Sequence, residues 1–116
     1  MRDDFNTKTK KLLEERAGNR CSKPDCGITT RGAKSDEVGT INVGNAAHIT
    51  AASIGGPRYN PNITSDERKH FSNGIWLCAT HAKLVDSDED NFTINELNSW
   101  KRIAERASFN DVVSSK

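Results

Sequence analysis

The chain has no long hydrophobic run, few aromatic residues and almost no net charge. None of its apolar stretches approaches the roughly 20 residues that a membrane span needs, so a membrane protein is not expected. The polar, charged N-terminus does not read as a signal peptide. Aromatic residues make up only 6% and apolar residues 34% of 116 residues. A core built from so little gains from an added staple, by disulfide or metal. The net charge of +1 does not announce a nucleic-acid binder, although six Lys/Arg stand against four Asp/Glu among the first twenty residues. Three cysteines are an odd number, which argues against a closed disulfide framework. The expected setting is therefore cytoplasmic, with reduced thiols free to bind metal. At this length one domain is expected over residues 1–116, with a core at about 17–107 and a frayed end or linker starting within 108–116.

What is present is a set of soft metal ligands at informative spacing. Cys78 and His81 are three apart, so both can reach one ion from a single tight turn. Upstream, Cys21 and Cys26 frame Ser-Lys-Pro-Asp, with Gly27 following. Proline, aspartate and glycine there are turn chemistry suited to a knuckle folded around a metal, and the separation falls in the range of zinc clips. The two pairs together give a possible Cys3His zinc set.

The remaining segments read as scaffold and loops. Residues 6–17 form an amphipathic helix capped by Asn6 or Thr7 and stopped by Gly18-Asn19, with Phe5, Leu12, Leu13 and Ala17 as its apolar face. Residues 29–40 read as an exposed loop. Ile41 to Ile49 alternate loosely as a strand interrupted by Gly44, with His48 at or near its end. The glycine- and proline-rich stretch from Ala51 to Pro61 carries Arg58 and Tyr59, an arginine and an aromatic that suit a phosphate contact and stacking on a sugar or base. Ser65 is the expected N-cap of a short helix to about Phe71. Ile75-Trp76-Leu77 is a second strand, followed by a helical turn from about Ala79. The acidic stretch Asp86 to Asn91 lacks the glycine and terminal glutamate of a calcium loop. Thr93 and Glu96 open a last helix whose stripe is Leu97, Trp100, Ile103, Ala104 and Ala107.

Taken in order, Ala47-His48-Ile49, Gly55-Gly56-Pro57-Arg58 and Asn73-Gly-Ile-Trp-Leu-Cys78-x-x-His81 resemble an HNH endonuclease. More narrowly, they resemble the HNH portion of bacterial antiphage effectors that carry a sensor for cyclic oligonucleotides behind the nuclease. The resemblance covers about residues 17–101 and implies an α+β fold, a small zinc-stapled ββα-metal domain with flanking helices. It implies that His48 is the general base that activates water against a DNA phosphodiester, with little sequence preference. It gives Asn73 a positional role, orienting the base loop through backbone hydrogen bonds. It makes Cys21, Cys26, Cys78 and His81 structural zinc ligands, and it implies Mg²⁺ or Mn²⁺ as catalytic cofactor. DNA is the implied partner, with a C-terminal sensor domain in a longer protein and a homo-oligomer on activation.

Two positions depart from that pattern. Ala82 stands where the third histidine usually follows the fourth zinc ligand, and Ala47 stands where a further metal ligand often precedes His48. Three alternatives follow: His81 is the third HNH residue and the zinc set is incomplete; Asp86 and His48 hold the catalytic ion; or this copy is inactive. The reading from another class is a zinc-stabilised module that binds nucleic acid or protein without catalysis.

Overall fold

The structure is a computed structural model, and it describes residues 2–114. Helix α1 (Thr7–Arg16) leads into a two-stranded antiparallel hairpin, β1 (Arg31–Ala33) and β2 (Thr40–Asn42). A second antiparallel pair follows, β3 (Gly44–His48) and β4 (Gly74–Cys78), with the short helix α2 (Ser65–Lys69) in the long connection between them. Helix α3 (Ala79–Ser87) starts directly after β4, and α4 (Ile94–Val113) closes the chain. The fold is α+β, with two small antiparallel sheets and flanking helices. No described helix is long and apolar enough to cross a membrane.

Strand β4 is the hub because every one of its residues is buried. Successive side chains on a strand point to opposite faces. Ile75 and Leu77 therefore pack on one side with Ile49, Val85, Leu97 and Trp100, whereas Trp76 packs on the other with Phe5, Leu13 and Ala17. Each such aliphatic or aromatic side chain contributes roughly 1.5–3 kcal/mol on burial. The Trp76 indole donates to the Thr30 hydroxyl at 2.9 Å, so its one polar atom is satisfied inside the core. Gly74 is where α1 comes closest: a Cβ there would lie 2.5 Å from a Leu13 methyl. Register places Gly74 opposite His48, so this close approach lies directly beside the candidate base.

Several expectations are corrected by the structure. The supposed exposed loop at 29–40 contains β1 and pairs with β2. Arg31 holds this hairpin to α1 through two hydrogen bonds to Glu14, at 2.6 and 2.9 Å. The strand expected at 41–49 is divided between two sheets, with the break at Val43. Thr64 rather than Ser65 caps α2, with Glu67 completing a capping box. In α1, Asn6 is the cap, but Leu12 faces solvent while Leu13 is buried.

In α4, Leu97 and Trp100 are buried but Ile103 and Ala107 are exposed, so the core stripe ends near the helix middle. Over the stretch from residue 108, where fraying or a linker start was expected, α4 continues as helix to Val113. Ser115 and Lys116, also assigned to that linker, lie outside the described residues. Lys101 anchors α4 to the turn before β4. Its Nζ donates to the carbonyls of Phe71 and Gly74 at 2.7 and 2.6 Å, while burial pushes its pKa down to about 8.

Candidate metal centre and active site

Cys21 and Cys26 sit on a knuckle closed by backbone hydrogen bonds, from Cys21 N–H to Ile28 O at 3.0 Å and from Cys26 N–H to Lys23 O at 3.1 Å. Asp25 and Gly27 turn the chain through positive φ, 74° and 62°; glycine adopts that conformation without the strain of a Cβ. Ser22 N–H donates to Trp76 O at 2.9 Å, docking the knuckle on β4. Cys78 is the last residue of β4 and the N-cap of α3. The first turn of α3 then swings His81 back to the thiols.

The ligand atoms of Cys21, Cys26, Cys78 and His81 all lie within 4.8 Å of one another. His81 Nδ1 is 3.6 Å from Cys21 Sγ and 3.3 Å from Cys78 Sγ. Sulfur and nitrogen bound to one tetrahedral zinc stand about 3.6 Å apart, given Zn–S near 2.3 Å and Zn–N near 2.0–2.1 Å. The four side chains can thus hold a metal ion such as zinc. Burial pushes the Cys21 thiol up to about 12, so a thiolate at this position calls for a cation beside it.

His48 ends β3, half-buried. Its Nε2 lies 2.8 Å from the carbonyl oxygen of Asp3. A carbonyl only accepts, so Nε2 carries the hydrogen and the neutral ring presents a lone pair at Nδ1. The Phe5 ring stacks on the imidazole, with centroids 3.9 Å apart and planes 9° from parallel. Burial, chiefly, holds the His48 pKa below its ordinary value, with nearby Arg2 acting in the same direction. The imidazole is therefore neutral at physiological pH, the form a proton acceptor requires.

Asn73 is buried and fully engaged. Its Oδ1 accepts from the Thr50 N–H and the Thr50 hydroxyl, both at 3.0 Å. Its amide donates to the Thr50 and Arg68 carbonyls, at 3.0 and 3.1 Å. Its backbone oxygen accepts from Ile49 N–H at 2.8 Å. The two residues that follow His48 are thus tied to the residue that precedes β4.

The loop residues are placed differently from the sequence expectation. Arg58 turns inward, its side chain 5% exposed. It donates to the carbonyls of Ile49, Val85, Phe92 and His48 and to Asp86. These contacts use all five of its N–H groups, so none remains for a phosphate. Tyr59 lies under the Arg68 guanidinium, 4.9 Å from the ring centre, and its hydroxyl accepts from Arg68 at 3.2 Å. That contact occupies one face of the ring.

Asp86 was expected at the head of an acidic loop, and it lies instead in the last turn of α3. One carboxylate oxygen accepts from Arg58 at 2.9 Å, and the side chain remains 47% exposed. Ala79, Ala82, Lys83 and Asp86 share one face of α3 by their spacing. They line a cleft of about 430 Å³ that Ala47 and His48 also line. His81 points to the thiols instead. Among the described residues the Cys3His set is the one group of three or more metal-ligating side chains.

Asp3, Phe5 and Arg68 are parts of the site that sequence reasoning missed. Phe5 was assigned to the helix face, and the Asp3 carbonyl carries no side-chain signal at all. No family model and no curated protein matches the chain.

Proposed function

We propose that the chain is an HNH-type nuclease domain that hydrolyses DNA phosphodiester bonds, with His48 as general base. The observation that carries this reading is the placement of the His48 imidazole. Its Nε2–H is held by the Asp3 carbonyl, and it sits in an open cleft facing the Asp86 turn of α3. The order of elements, two antiparallel strands followed by a helix with the asparagine before the second strand, supports it further.

In this reading His48 Nδ1 takes the proton from a water aligned with the scissile phosphate. Asn73 keeps the chain beyond His48 fixed, so the ring does not drift from that position. Asp86 is the carboxylate available to a divalent ion, and magnesium characteristically needs only one or two carboxylates beside substrate phosphate and water. Such an ion, Mg²⁺ or Mn²⁺, supplies charge stabilisation at the phosphate when bound. Zinc at the Cys3His set has no part in the chemistry; it holds β4 and α3 against the knuckle. By the same resemblance, the domain serves in antiphage defence, joined in a longer protein to a C-terminal sensor and active as a homo-oligomer in the cytoplasm.

Ala47 and Ala82 in the cleft wall favour one rival, a zinc-stabilised module that grips nucleic acid or a protein without cutting. Plasmid nicking in Mg²⁺ or Mn²⁺ separates the two. The nuclease reading expects cleavage by the wild type and none by His48→Ala, with zinc content and melting unchanged. Zinc-loaded wild type that binds DNA yet never cuts it in either ion would leave the binding module standing.

A further inference from the structure

The N-terminal segment is more than a lead-in to α1. Asp3 is pinned on three sides: its N–H donates to Ala52 O at 2.9 Å, its carbonyl accepts from His48 at 2.8 Å, and its carboxylate pairs with Arg68 at 3.5 Å. Arg68 is in turn held by Asn60 O at 3.0 Å and by the Tyr59 hydroxyl, and its own carbonyl accepts from Asn73. The strap, the loop after His48 and the buried asparagine are one hydrogen-bonded unit. Phe5 adds the second constraint, with one part of its ring surface on the imidazole and the rest packed with Leu13, Ala17 and Trp76.

We infer that residues Arg2 to Phe5 are a positioning strap for the reactive imidazole: the Asp3 carbonyl selects the Nε2–H tautomer and Phe5 fixes the ring plane, leaving Nδ1 as the single atom able to accept a proton. A carbonyl at Nε2 excludes the other neutral tautomer, because that form would set two lone pairs against each other. Among the described residues nothing hydrogen-bonds Nδ1, so the strap engages one ring nitrogen and spares the other. Asp3 and Phe5 act through His48 and are positioning residues, not catalytic ones. The catalytic consequence rests on the nuclease reading; the tautomer does not.

The experiment uses the zinc-loaded full chain and two variants. One deletes residues 2–4 and keeps Phe5, which removes the carbonyl together with the Asp3 partner of Arg68; urea unfolding confirms that the variant is folded before its spectra are read. The other is Phe5→Leu, which keeps apolar bulk and removes the stacking ring, with Phe5→Tyr as the conservative rescue. Long-range ¹⁵N–¹H spectra of the histidine rings at pH 7.5 read the tautomer directly. Wild type and Phe5→Tyr should show His48 as Nε2–H. The deletion should show a tautomer mixture, and Phe5→Leu a partial move towards it.

In plasmid nicking, the deletion and Phe5→Leu should lower kcat by roughly ten- to a hundredfold, the scale of a slightly misplaced catalytic group, with KM unchanged and Phe5→Tyr near wild type. An Nδ1–H ring in the wild type, or a pure Nε2–H ring in the deletion, overturns the inference. Should Phe5→Leu fail to fold, the deletion still decides. If the wild type cuts nothing, the nuclease reading fails for the isolated chain while the spectra still judge the strap.

Discussion

The metal centre and the His48 cleft share helix α3 and lie at opposite ends of the β3–β4 pair, yet they differ in kind. At one end of β4, three thiols and an imidazole converge from three segments until their ligand atoms lie within 4.8 Å. At the other end, a single imidazole and a single carboxylate line one cleft together with several alanines. The first arrangement is closed and complete without a substrate, as a structural site is. The second is open and short of ligands, as a site that needs a substrate phosphate to finish it would be. Helix α3 serves both: its first turn carries His81 inward and its last turn carries Asp86 to the cleft.

The largest effect expected tests the closed end. Structural zinc supplies apparent binding free energies on the order of 10–16 kcal/mol in small zinc-finger peptides, more than the stability of most domains this size. Cys78→Ala, or exhaustive chelation of the wild type, should therefore unfold the chain. Circular dichroism with metal analysis reads this, and one zinc per chain is expected in the folded form. A chain that keeps its melting transition without metal would make the convergence of four ligands incidental to folding.

Next comes the open end. On the proposed nuclease reading, His48→Ala should lower plasmid nicking by roughly 10²–10⁴-fold, the usual contribution of a general base, while zinc stoichiometry stays at one. The two ends are separable only if these losses do not cross over. A His48→Ala protein that also loses zinc would mean that the cleft and the clamp fold as one unit, and the comparison would break.

Asn73→Ala should fall between the two sites in character. It strands the Thr50 N–H, the Thr50 carbonyl and the Arg68 carbonyl in a buried setting. Each orphaned buried group costs about 1–3 kcal/mol, so three of them put the expected loss in urea unfolding at roughly 3 kcal/mol or more. Nicking should fall as well, because the segment after His48 loses its anchor. Unchanged stability would show that water replaces the asparagine without penalty.

Legibility in the sequence followed the same division. The clamp could be read because thiols and imidazole are chemically specific and their spacing within each knuckle is local. His48 and Asn73 were singled out only through the resemblance, and the partners of the asparagine, Thr50 and Arg68, carry no spacing signal. Arg58 was expected to face outward because an arginine in a glycine-rich loop looks the same whether it faces phosphate or the protein's own carbonyls. Only the positions of Ile49, Val85, Phe92 and Asp86, spread over 44 residues of sequence, decide it. The β1–β2 hairpin was invisible for another reason. Its strands are three residues each and exposed throughout, so no alternation of apolar and polar residues marks them, and Arg31–Glu14 does the holding. The strap was illegible because its key atom belongs to the backbone.

The smallest expected effect concerns the environment of His48 alone. Its folded pKa lies below the ordinary value of about 6.5, chiefly through burial. Between the folded and unfolded values the unfolded chain binds more protons, so stability rises with pH across that window and falls as the solution is acidified through it. For one group the slope cannot exceed about 1.4 kcal/mol per pH unit. The metal ligands also take up protons in acid, which would add to the same slope. The informative measurement is therefore the difference between wild type and His48→Gln, both zinc-loaded, in urea unfolding from pH 7.5 down to 5. The glutamine keeps a donor for the Asp3 carbonyl and cannot titrate, so its stability should fall less on acidification. Equal acid sensitivity in the two proteins would mean that the imidazole charges without penalty. Its stacking on Phe5 and its bond to Asp3 would then not exclude water as the half-buried ring implies, and the open end of the molecule would be more open than its geometry suggests.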